Sequence, residues 1–128
     1  MVALDANIVV RYLVGDDESL SAEATKIIYE AKASTLLLDR LIIEEIGYVL
    51  HSNYQFTKSA IAGAFHSLIN LPSVVVPDID LVDLAVDLFE SEKPLSFEDC
   101  WLLALQRSGV VGEIATFDKA LLKRSSST

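Results

Sequence analysis

Four carboxylates stand where the sequence pattern places functional groups. Asp5 closes the apolar run "VAL" and precedes Asn7 by two positions. Glu45 lies in "RLIIEEIGYVL", Asp99 in "SFEDCWLLAL" and Asp118 in "IATFD". In open α/β sheets, ligands bind beyond the carboxyl ends of the strands. Asp5 ends one apolar run, and Thr116 and Asp118 follow another, so two acids arrive at one sheet edge. Glu45 and Asp99 are the candidates to reach that edge from helices. Converging carboxylates repel, and without a counter-charge some of them hold protons. Mg²⁺ or Mn²⁺ relieves the repulsion, because hard cations take oxygen ligands. A pair of such ions is suited to hydrolysing a phosphodiester.

Taken singly, each acid also has a structural reading. Asp5 ends a strand in a turn. Asp99 is the third helical residue after Ser96, the S-x-x-D capping signature. Glu45 is a boundary charge, and Asp118 caps a short helix. Asp78, Asp80, Asp83, Asp87, Glu90 and Glu92 read as a solvated helix face, and they make up six of the 19 acids. His51 and His66 show no HxxxH or HExxH spacing, so zinc has no support. No phosphate-binding G-x-x-x-x-G-K or G-x-G-x-x-G run occurs. Cys100 has no base at recognisable spacing and reads as a buried structural thiol.

The elements that must hold the acids follow from periodicity. "VALD", "TLLLD", "SVVVP" and "EIAT" read as short strands without polar alternation, hence covered on both faces. Between them run helical patterns: "NIVVRYL" with Asn7 as a cap, "SAEATKIIYEAKAS", "RLIIEEIGYVLHSNY", "TKSAIAGAFHSLINL" capped by Thr57, "DIDLVDLAVDLFESEK", "SFEDCWLLALQRSG" ended by Gly109, and "DKALLKR". This alternation predicts an α/β fold, a three-layer α/β/α sandwich around a small parallel sheet. No linker or repeat interrupts it, so one domain is expected over 1–124, with a frayed polar tail at 125–128.

The chain has 128 residues, 52% of them hydrophobic, and a net charge of −9. Its mean hydropathy is +0.40. That apolar surplus suits a dimer face or a partner groove. No apolar run is long enough for a membrane span, and no signal-peptide pattern opens the chain. A single cysteine fits a reducing cytoplasm. The negative charge opposes nucleic-acid binding, unless the acids hold cations that reverse the local sign.

In order and spacing, "ALDANIVVRYL", "LIIEEIGYVL", "SFEDCWLLALQRSG" and "IATFDKALLKR" resemble the PIN-domain family of metal-dependent ribonucleases, and within it the VapC toxins of toxin–antitoxin pairs. The resemblance covers nearly the whole chain. The family's opening motif is an apolar strand, then Asp, a small residue and Asn. Asp5 and Asn7 match it, while Ala6 stands where Thr is usual. The second motif falls on Glu45, with Glu44 as the fallback, because Leu50 closes its run. The third falls on Asp99 with Glu98 beside it, and the last on Thr116 and Asp118.

The resemblance implies a small parallel sheet of four to five strands wrapped by helices, with "VALD" at its centre. It implies Mg²⁺- or Mn²⁺-dependent endonucleolytic cleavage of RNA. Asp5, Glu45, Asp99 and Asp118 would be the catalytic and metal-holding acids, and Asn7, Thr116 and Glu98 the orienting groups. It further implies a homodimer, a VapB-like antitoxin and a cytoplasmic setting. Arg11, Lys119, Lys123 and Arg124 are candidate contacts to the RNA backbone. A non-catalytic partner- or RNA-binding module on the same fold is the alternative. An aspartyl-phosphate receiver or a D-x-D phosphatase fits poorly, because the first strand ends in one Asp followed by Ala-Asn.

Overall fold

The computed structural model describes residues 1–125, and the polar tail lies outside the described residues except for Ser125. The chain divides into two compact units, Met1–Pro77 and Asp78 onward.

The first unit holds β1 (Val2–Ala3), α1 (Ala6–Leu13), α2 (Glu18–Glu30), β2 (Leu36–Leu37), α3 (Arg40–Tyr54), α4 (Lys58–Ile69) and β3 (Val74–Val75). The strands form a parallel sheet in the order β1-β2-β3, pairing Val2 with Leu36 and Leu36 with Val74. The expected strands were longer. Asp5 and Asp39 start helices directly beyond them, so the extended backbone stops after two ladder residues. The pairing still continues into the flanks, where Leu4 N–H donates to Leu37 O and Leu38 N–H to Val75 O, each at 2.9 Å.

The helices grow from caps and apolar stripes. Thr57 accepts from Ala60 N–H at 3.1 Å and starts α4, as its position in the sequence implies. α2 begins earlier than its apolar pattern suggests, because Asp17 accepts from Leu20 N–H at 3.0 Å. Asn7 is not the cap of α1; Asp5 is. The core takes Val9, Ile28, Leu38, Ile43, Ile46, Leu50, Ile61 and Phe65, all essentially sealed from solvent.

The second unit holds α5 (Ile79–Ser91), α6 (Phe97–Arg107) and α7 (Lys119–Arg124). α5 packs on α6. Val82, Ala85, Val86, Cys100 and Leu103 are fully buried, and the Phe89 and Phe97 rings meet edge to face at 6.2 Å. Cys100 is the buried thiol expected of it, in no disulfide. Of the six acids expected on a solvated face, Asp78, Asp80, Asp83 and Asp87 are exposed, whereas Glu90 and Glu92 are half-buried and Glu92 accepts from Arg124. Gly109 ends α6 with φ +79, a left-handed conformation that glycine takes without steric cost.

The expected fourth strand, "EIAT", does not form among the described residues. Residues 113–117 carry no ladder hydrogen bonds and alternate between exposed and half-buried. Two expectations change with it. The described sheet has three strands, and β2, not "VALD", is its middle strand. Among the described residues no strand pairs with the outer edge of β1, and Val2 is exposed. The α/β class with a small parallel sheet stands. No described helix is long and apolar enough to cross a membrane.

Candidate active site

Asp5 leaves β1 and caps α1 in one step. Its backbone is extended (φ −86, ψ 154), and its Oδ1 accepts from Ala6 N–H at 2.8 Å. Such a bond fixes the rotamer, and a helix N-terminus favours negative charge. The other oxygen takes no hydrogen bond among the described residues.

Asp39 repeats the arrangement on the neighbouring strand. It caps α3, and its Oδ2 accepts from Leu41 N–H at 3.0 Å. The parallel register pairs Ala3 with Leu37. Continued two residues further, it sets Asp5 level with Asp39 across strands spaced by roughly 4.8 Å. Asp39 is not among the four acids that the sequence pattern singles out. The signal was in plain view, since "LDA" and "LDR" each close an apolar run and open a helix.

Glu45 lies six positions beyond Asp39 on α3. Ile43, Ile46 and Leu50 form the buried face of that helix, and Leu41, Glu45 and Tyr48 face solvent. Glu45 is thus exposed and Glu44 half-buried. Both Asp5 and Glu45 therefore follow adjacent parallel strands within the first unit.

In the second unit, Ser96 and Asp99 form a full capping box on α6. Asp99 N–H donates to Ser96 Oγ at 3.1 Å, and Ser96 N–H approaches Asp99 Oδ2 at 3.4 Å. The second contact is long, so it holds the carboxylate weakly. Glu98 is exposed beside it. Asp118 caps α7 through Oδ1, which accepts from Leu121 N–H at 2.8 Å, and Asp118 N–H donates to Thr116 Oγ1 at 3.0 Å. The structure thus joins Thr116 to Asp118, while no hydrogen bond joins Asp99 to Asp118 among the described residues.

Three of the four proposed acids are therefore helix-start residues, each with a carboxylate oxygen free of hydrogen bonds among the described residues. Glu45 has both oxygens free in the same sense. A set of unengaged carboxylate oxygens is the donor chemistry that Mg²⁺ or Mn²⁺ takes.

The candidate cations divide in two. Arg11 is held by Asp16 at 2.9 Å, and Tyr54 Oη donates to the same carboxylate at 2.8 Å. The Tyr54 hydroxyl, with Arg11 behind it, holds the Asp16 carboxyl below the usual carboxylate range. Arg124 donates to Glu92 at 2.5 Å and to Ala120 O at 2.9 Å. Lys119 and Lys123 are exposed, and neither is paired among the described residues. Asn7 is exposed in the first turn of α1. With Ile8, Arg11, Leu20, Glu23 and Ala24 it lines a groove of about 400 Å³ between α1 and α2.

An α/β fold whose helix starts carry acids at strand ends is the class that these observations define. The chain belongs to the PIN domain family, whose model matches residues 2–125. Among solved structures it is similar to VapC20 of Mycobacterium tuberculosis, described as a Sarcin-Ricin loop cleaving toxin. Identity is 16%, the alignment covers 96% of this chain and 94% of that one, and the TM-score is 0.45. No curated protein matches the chain.

Proposed function

We propose that this chain is a metal-dependent endoribonuclease, the toxin of a VapBC-type pair, working in the cytoplasm as one PIN-like domain over 1–124. The observation that carries the reading is membership of the PIN domain family across residues 2–125, with Asp5, Glu45, Asp99 and Asp118 present in order. These four would hold Mg²⁺ or Mn²⁺. A divalent ion held there supplies Lewis-acid polarisation of a phosphodiester.

The remaining work falls to the chain's own groups. Peptide N–H bonds from Ala6 and Leu121 aim the Asp5 and Asp118 carboxylates. A carboxylate oxygen free of other bonds accepts a proton from the attacking water. Asn7, Thr116 and Glu98 orient substrate or ligands, and Lys119 and Lys123 meet backbone phosphates. Ala6 contributes no hydroxyl to this arrangement. A VapB-like antitoxin and a second copy of the chain are the proposed partners. The groove at Ile8, Leu20 and Ala24, flanked by Arg11 and Glu23, suits a mixed apolar and charged peptide.

The test is cleavage of a panel of structured RNAs by purified protein in Mn²⁺, in Mg²⁺ and in EDTA. Cleavage that needs the cation and is lost in Asp5→Asn supports the reading. Cleavage that persists in EDTA refutes the metal mechanism. A second reading, a non-catalytic binding module, is favoured by one observation: the Asp5 and Asp118 carboxylates each serve as a helix cap by accepting a peptide N–H. RNA or partner binding with no Mn²⁺ uptake by calorimetry would support it.

A further inference from the structure

We propose that Phe117 is a stacking platform for a nucleobase of single-stranded RNA, with Lys119 and Lys123 beside it on the phosphate backbone. The inference rests on the ribonuclease reading and names how that site would grip its substrate. The Phe117 ring is fully exposed, at 103% of the reference area, whereas Phe56, Phe65, Phe89 and Phe97 are all buried or half-buried. A ring left wholly in water contributes no burial to the fold.

The backbone that carries the ring is held in place. On its N-terminal side Thr116 Oγ1 accepts from Asp118 N–H at 3.0 Å, and on its C-terminal side Asp118 Oδ1 accepts from Leu121 N–H at 2.8 Å. The backbone carrying the ring is thus braced by two residues of the candidate site. Lys119 and Lys123 follow at i and i+4, so they share one face of α7. Both are exposed and unpaired among the described residues, in a chain with 10 basic and 19 acidic residues. An exposed ring followed by unpaired cations is the pairing of features that binds single strands, since every base offers a π-face and the backbone offers charge. The sequence neighbours Thr116, Asp118 and Lys119 are polar, whereas a protein face asks for a contiguous apolar patch.

The experiment uses the full chain and a single-stranded RNA carrying 2-aminopurine. Stacking is worth about 5- to 150-fold per base, so Phe117→Ala and Phe117→Leu should each raise KM by that order while kcat changes little. Phe117→Trp should restore KM, because it keeps a π-face. In an Asp5→Asn background, binding should quench 2-aminopurine fluorescence, and Phe117→Ala should abolish the quench. Replacing Lys119 and Lys123 by Ala should flatten the salt dependence of binding. A Phe117→Leu chain with wild-type KM overturns the proposal. So does a Phe117→Ala chain whose sedimentation changes while its KM for RNA does not. Quenching without any cleavage by the wild type would support the platform and defeat the ribonuclease reading. Cleavage that is indifferent to every Phe117 variant would defeat only the platform.

Discussion

Asp5 has two roles in this account, and two substitutions separate them. Asp5→Asn keeps the cap, because an asparagine side-chain oxygen accepts the Ala6 N–H bond as well as an aspartate oxygen does. What it loses is the favourable charge at the start of α1, about 0.3–1 kcal/mol at an exposed position. What it relieves is repulsion from Asp39, level with it on the next strand. At the strand spacing of roughly 4.8 Å that repulsion in water is about 0.9 kcal/mol. The two effects nearly cancel. Asp5→Ala loses the cap as well, at a cost of about 1 kcal/mol. For a chain of this length 1 kcal/mol moves Tm by about 3–5 °C. Thermal melts without metal should therefore place Asp5→Asn within about 2 °C of wild type and Asp5→Ala about 3–5 °C lower. In RNA cleavage both variants should lose at least about 100-fold, or about 2.7 kcal/mol of transition-state stabilisation. Stabilisation by Mn²⁺ should vanish in both, since it follows from binding to the folded state. Equal melting losses in the two variants would refute the capping argument, and an active Asp5→Asn chain would refute the catalytic one.

Other consequences are as direct. Ser96→Ala removes the hydroxyl half of the α6 capping box and should lower stability by about 1 kcal/mol in urea titration, leaving the Asp99 carboxylate in place. The Asp16 carboxyl is held low, chiefly by the Tyr54 hydroxyl and then by Arg11. Its contribution to stability is therefore present above the usual carboxylate range and fades as pH falls through the lowered value. Tyr54→Phe should raise the Asp16 titration midpoint by NMR and flatten the acid limb. Tyr12 is pushed up to about 12 by burial and by the adjacent Tyr29 hydroxyl. Stability from Tyr12 should be intact below pH 10 and lost as pH rises towards 12, with absorbance at 295 nm reporting its late ionisation.

The parts of the fold that follow local rules were legible in the sequence. Thr57 and Ser96 start their helices where capping patterns place them, and Gly109 ends α6 with a backbone that suits glycine. Two of the differences arise because the connections are shorter than a strand-loop-helix scheme assumes. Asp5 is at once strand end and helix cap, so no role remained for Asn7. Asp39 ends "TLLLD" and in the same step starts α3. The run "EIAT" has strand-like composition. Strand formation depends on a partner ladder, which composition does not encode, and none forms there among the described residues. The candidate acids were legible as residue types and positions. That Asp5 and Asp118 are also anchored by helix-start hydrogen bonds appears only with the backbone in view.

Crystals of the full chain grown with Mn²⁺ test the central claim most directly. The account predicts anomalous density at roughly 2 Å from carboxylate oxygens of Asp5, Glu45, Asp99 and Asp118. Density confined to other acids, such as those of α5, or none at saturating Mn²⁺, would contradict it.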